Sequence, residues 1–107
     1  MLSVLIEGTL AAEPVVRASS NGNQYVTAKL RTAGANGEVL WCNLIAFNAD
    51  AVQVLTGLKA GDALAIAGSA AISQWEGKDG HPRAGLNVTV ARAMSVYAAG
   101  RQRKAAA

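Results

Sequence analysis

The sequence has a single cysteine, Cys42, and a single histidine, His81. One thiol cannot close an intramolecular disulfide, and no Cys pair or Cys/His cluster has the spacing of a metal site. A disulfide scaffold and a zinc module are therefore excluded, and the lone thiol fits a reducing, cytoplasmic setting. Aromatic residues make up only 5% of the chain and charged residues 16%. No apolar run approaches the roughly 20 residues of a membrane-spanning helix. The first apolar stretch is interrupted by Glu7 and Gly8 and has no basic leader, so it reads as a strand of the mature chain, not a signal peptide. Catalytic groups are equally scarce. A nucleophile needs a base held beside it, yet the one histidine sits next to Pro82 among glycines. Glu76 and Asp79 are the sole candidate carboxylate pair, in the same polar segment. No phosphate-cradling glycine motif precedes a helix. The expectation is a protein without enzymatic activity, metal or cofactor.

What remains is a chain of 107 residues, 51% of them hydrophobic, enough for one domain with a buried core. The net charge of +3 says little about partners, because Arg101, Arg103 and Lys104 account for the whole excess of ten basic over seven acidic residues. Those three lie in an alanine-ended tail. The expected layout is a folded domain over residues 1–98 and a basic, disordered tail over 99–107.

Within the domain, period-two alternation dominates. Leu2, Val4, Ile6 and Gly8 fall on one face of a strand ending at Leu10, and Ser3, Glu7 and Thr9 on the other. Pro14 interrupts, Val15 to Ala18 resumes briefly, and Asn21-Gly22 supplies a tight turn. Gln24 to Thr32 and Glu38 to Phe47 read as longer strands. Asn48 or Asp50 can cap a short helix whose apolar residues Ala51, Val54, Leu55 and Leu58 recur at helical spacing. Gly61 turns the chain into a strand from Ala63 to Ser73, with Leu64, Ile66 and Ile72 on its inward parity. A glycine-rich, charged loop is expected from Trp75 to Gly85, then a last strand from Leu86 to Tyr97. Five main strands with a helix between the third and the fourth is the plan of the OB-fold, a small all-β barrel.

Parity also sorts the functional candidates, since successive side chains on a strand point to opposite faces. Leu40, Cys42, Leu44 and Ala46 form a small-to-medium apolar set suited to a barrel interior, which makes Cys42 a buried hydrophobe in place of a nucleophile. Trp41, Asn43, Ile45 and Phe47 then face outward, beside a strand whose outward parity carries Tyr25, Lys29 and Arg31. Outward aromatics next to cations suit single-stranded nucleic acid. Every base has a π-face, so an aromatic platform accepts any sequence while the cations neutralise phosphates. Trp75 adds an aromatic at the start of the long loop, and Lys78, His81 and Arg83 lie within that loop. Two other readings stay open: Trp41 and Phe47 as core residues displaced by a β-bulge, and an exposed aromatic face that docks a protein.

The ordered series of motifs resembles the bacterial single-stranded DNA-binding proteins of replication, recombination and repair. It runs through Gly8-Thr9-Leu10, Pro14, Arg17, Asn21-Gly22, Trp41, Ala46-Phe47, Leu58-Lys59-Ala60-Gly61-Asp62, Gly68, Trp75, Asp79-Gly80 and Arg83. The resemblance covers Leu2 to about Tyr97. It implies an OB-fold that assembles as a homotetramer or dimer, with the tetramer favoured, and wraps single-stranded DNA, with Trp41, Phe47 and Trp75 as stacking residues. It also implies a nucleoid-associated, cytoplasmic protein with no membrane partner. Three features depart from the family pattern. Leu30-Arg31-Thr32-Ala33 replaces the stretch where a further stacking tryptophan is common, and the loop after it is shorter. The residues from Arg101 to Ala107 are unlike an acidic protein-recruiting tip, so recruitment through such a tip is not expected. The primosomal replication-restart proteins are the near relatives, sharing a Trp-Cys pair like Trp41-Cys42; Ala46-Phe47 and the following helix favour the first family.

Overall fold

From Val26 to Ala46 the buried residues fall at every second position: Val26, Ala28 and Leu30 on one strand, Cys42, Leu44 and Ala46 on the next. A strand with one dry face requires this alternation, and it sets the register of the sheet. A computed structural model describes residues 1–80 and 82–95, excluding the side chains of Trp75, Pro82 and Arg83. His81 and the expected basic tail lie outside the described residues.

The elements follow in the order β1 (Leu2–Leu10), β2 (Val15–Ala18), β3 (Gln24–Ala33), β4 (Val39–Ala46), α1 (Ala49–Thr56), β5 (Ala63–Glu76) and β6 (Pro82–Ser95). They form one sheet in the order β1-β5-β6-β4-β3-β2, and an additional β1–β3 pairing closes it. The closed ring therefore holds five strands, β1, β5, β6, β4 and β3, with β2 laid along the outside of β3. This is the OB-fold barrel expected from the sequence, with its helix between the third and fourth ring strands. Neighbouring strands are antiparallel except β4 and β6, which run parallel.

The core draws on every strand of the ring. Leu10, Val26, Leu30, Leu44, Leu64, Ile66, Val88 and Val90 fill the barrel, and Ala51 and Leu55 of α1 plug one end. Two glycines permit close backbone approaches. A Cβ on Gly8 would stand 2.5 Å from the Arg31 carbonyl oxygen, where β1 crosses β3 to close the ring. A Cβ on Gly68 would land on the carbonyl oxygen of Thr89, beside a β-bulge. At that bulge Ala67 pairs with Arg92 and Gly68 with Val90, so Ala91 is the extra residue. Inward parity on β6 consequently switches from even at Val88 and Val90 to odd at Ala93. Asn48 caps α1, its Oδ1 accepting from the Ala51 N–H at 2.8 Å. Its Nδ2 donates to the carbonyls of Val90 and Ala91 at 3.3 and 3.1 Å, which ties the helix to the bulge.

Two expectations require correction. The stretch from Trp75 to Gly85 is not a loop. β5 and β6 stay paired through Trp75–Arg83 and Glu76–Pro82, and only a short turn beginning at Gly77, with Gly80 at φ +80°, joins them. The polar composition reflects a hairpin arm that projects beyond the barrel and has no core to face. Pro82 is tolerated because it is the first residue of its strand. Ile72, although on the inward parity, is 70% exposed because β1 accompanies β5 only as far as Ala70, opposite Leu2.

Candidate nucleic-acid interface

The outward parities of β3, β4, β6 and β5 align into rows across the barrel. In one row Arg31 stands opposite Trp41, Trp41 beside Gly85, and Gly85 opposite Ser73. The next row reads Lys29, Asn43, Asn87, Ala71, and the next Thr27, Ile45, Thr89, Ser69. The rows exist because each strand must keep its even residues in the core, which leaves the odd ones on a common outer face.

Trp41 is 42% exposed even though its strand neighbours Cys42 and Leu40 are buried and half-buried, so it is a surface residue, not a displaced core residue. Lys29 and Arg31 are exposed beside it. Phe47 follows directly after β4 and is 59% exposed. Its ring lies 5.7 Å from that of Tyr25 at 34°, a tilted aromatic pair. The face therefore has two aromatic ends, Trp41 and the Tyr25–Phe47 pair, about 20 Å apart at strand rise, with the Lys29 row between them.

Lys78 sits in the turn of the hairpin arm, exposed, in a groove that also includes Trp41, Val39, Glu38 and Asp79. It thus joins the Trp41 end of the face, with two carboxylates in its company. Trp75 and Arg83 occupy facing ladder positions in the same arm; their side chains lie outside the described residues. Cys42 is buried, and burial raises its thiol pKa above the ordinary value. No group of three or more metal-ligating side chains occurs among the described residues, and no helix among them is long and apolar enough to cross a membrane.

Residue-by-residue parity placed Asn43 outward but missed two polar side chains that the pairing brings to the same face, Arg17 and Asn87. Arg17 on β2 stands opposite Tyr25 and donates from Nε to Thr27 Oγ1 at 3.1 Å. Asn43 and Asn87 join across β4 and β6, Nδ2 to Oδ1 at 3.0 Å. The signal for Arg17 was available, because the Asn21-Gly22 turn fixes the β2–β3 register. The parallel β4–β6 contact has no local signature.

The description of the single-strand binding protein family matches residues 1–96. The chain belongs to the single-strand binding protein family. The single-stranded DNA-binding protein of Chlamydia trachomatis is 32% identical over 93 residues, covering 84% of this chain and 59% of that protein. Its counterpart from Chlamydia muridarum is 31% identical with the same coverage. The chain thus spans about three-fifths of the length of these family members. Among solved structures, a mitochondrial single-stranded DNA-binding protein of Saccharomyces cerevisiae, Rim1, superposes with a TM-score of 0.66 at 21% identity, over 88% of this chain and 93% of that one. A Plasmodium falciparum family protein, solved in complex with single-stranded DNA, gives 0.65 at 14% identity, over 90% and 95%. At these identities the two structures speak for the shared barrel.

Proposed function

We propose that this chain binds single-stranded DNA largely without sequence preference, as a binding module and not an enzyme. The observation that carries the reading is the row Arg31–Trp41: an exposed indole with a guanidinium directly across the ladder, on the face of a single-strand binding family barrel. Trp41, Phe47 and Trp75 stack bases, each contact contributing about 1–3 kcal/mol. Lys29, Arg31, Lys78 and Arg83 meet phosphates, and Arg17 joins them from β2. Tyr25 holds the Phe47 ring at the far end of the path. The protein works in the cytoplasm at the nucleoid, on strands exposed during replication, recombination or repair, and it does so as a homo-oligomer, with a tetramer favoured over a dimer. Family membership and the open edge of β1 support that assembly.

Titration with oligothymidylate at two salt concentrations, following tryptophan emission, tests the reading. The expected result is quenching that saturates, with an affinity that falls as salt rises because phosphate contacts release counterions. Unchanged emission at an oligonucleotide concentration where a second method shows saturation would remove Trp41 from the path.

A further inference from the structure

The Tyr25–Phe47 pair at the far end of the face also lines a pocket that opens off the sheet, bounded by the β2–β3 turn and α1. Its volume, about 530 Å³, is that of a small-molecule site. Tyr25 and Phe47 give it an aromatic side, and Ala49 and Val52 of α1 add apolar surface. Ala49, Val52 and Gln53 reach it together because their i, i+3, i+4 spacing puts them on one side of the helix, while Ala51 and Leu55 anchor that helix in the core. The turn is stiffened by its own bonds. Ser19 N–H donates to the Asn23 carbonyl at 2.8 Å, Gly22 N–H to the Ser19 carbonyl at 2.9 Å, and Asn23 N–H to Asn21 Oδ1 at 3.3 Å. The side-chain amides of Asn23, Gln24 and Gln53 line the pocket and bond no other described residue. Among the described residues, no charged side chain lines it. An aromatic wall with neutral amides around it suits the ring and edge of a nucleobase, and holds no counter-charge for a phosphate.

We infer that this pocket is a base subsite: a nucleobase arriving at Phe47 seats against the Tyr25–Phe47 rings, and Asn23, Gln24 and Gln53 bond its edge. The inference rests on the single-stranded DNA reading above and extends it from the sheet face to two further elements, the β2–β3 turn and α1. Each amide offers N–H donors and a carbonyl acceptor alike, so the subsite takes the edge of any base, in keeping with binding largely without sequence preference. Because no cation lines it, its contribution to affinity carries no counterion release, in contrast to that of Lys29 and Arg31. A notch that holds only water would contribute nothing, and a phosphate site would contribute to the salt dependence.

The test uses the whole chain and a dye-labelled oligothymidylate, read by fluorescence anisotropy at two salt concentrations. Gln53→Ala and Asn23→Ala each remove an exposed amide that bonds no other described residue, so thermal melting should stay at the wild-type value. Each is expected to weaken binding about two- to tenfold, the range of one net hydrogen bond, with the slope of log affinity against log salt unchanged. Ala49→Leu, at an exposed position at the start of α1, crowds the pocket without entering the core and should weaken binding in the same way. Wild-type affinity in both alanine variants, wild-type affinity in Ala49→Leu, or a loss accompanied by a flatter slope would overturn the subsite. Failure of the underlying reading looks different: the wild-type chain itself would give no saturable change in anisotropy, and both readings would fall together.

Discussion

Arg31 illustrates how much one side chain's place decides. It is exposed, it stands across the ladder from Trp41, and its carbonyl faces Gly8 at the seam of the barrel. Removing its side chain leaves the core untouched, so Arg31→Ala isolates charge from fold. A cation beside a stacking platform that accepts any base meets phosphate more profitably than base edges. Each phosphate contact on a single strand contributes roughly 0.7 to the slope of log affinity against log salt. Arg31→Ala is expected to weaken oligothymidylate and oligodeoxyadenylate binding equally and to flatten that slope by somewhat less than one. A solvated arginine with no partner would leave both affinity and slope unchanged, and a loss confined to one polymer would make Arg31 a base contact. Parity alone placed Trp41, Lys29 and Arg31 on one outer face, because an apolar set as complete as Cys42, Leu44 and Ala46 leaves their neighbours no inward role. Parity could not show which residue stands beside which; that depends on register, and register paired Asn43 with Asn87.

At the scale of elements, α1 is held by one residue more than by its own sequence. Its eight residues are too few for a helix to persist in isolation. Asn48 both caps its first turn and bonds the two carbonyls at the β6 bulge. Asn48→Ala is therefore expected to destabilise the fold by about 1–2 kcal/mol, at the upper end of cap losses. Thermal melting should register this as a fall of roughly 4–8 °C per kcal/mol for a domain of this size. A melting temperature within a degree of wild type would show that water replaces the cap without cost. The helix, its cap and most strands were legible because each has a local signal: an Asx residue before an apolar 3.6 period, or strict alternation between turns. The hairpin arm was not. Gln74, Trp75 and Glu76 on one side and Arg83 and Ala84 on the other have no apolar alternation, since the arm extends past the core, and a composition of glycine and charge reads as loop. The bulge at Ala91 was hidden for a related reason: its extra residue is defined by the partner strand, not by β6 itself.

For the molecule as a whole, the open edge of β1 is the feature that a lone barrel leaves unexplained. β1 pairs with β5 along Leu2 to Thr9, but with β3 only at Thr9 and Leu10. One further bond, from Thr32 Oγ1 to the Glu7 carbonyl at 2.7 Å, ties the seam near its closing end. Beyond it, the β3-side edge from Leu2 to Ile6 carries no charge, no proline and no bulge, the devices by which solitary sheets protect an edge. Leu5, 80% exposed on the outer side of this strand, lies in a depression with Val54, Ala65, Ala67 and Met94, which Asp50 and Arg92 also line. Edge and outer face together suit a symmetric partner, because an isologous contact matches the same strand to itself. Sedimentation at micromolar concentration is accordingly expected to show a tetramer or dimer. Leu5→Glu should shift the distribution toward smaller species without lowering core stability, since the side chain it replaces buries little. The same variant should retain binding to a short oligonucleotide, because Leu5 is remote in register from the Arg31–Trp41 row. A wild-type protein that sediments as a monomer would refute the assembly. An unshifted Leu5→Glu oligomer would move the interface to another face of the barrel.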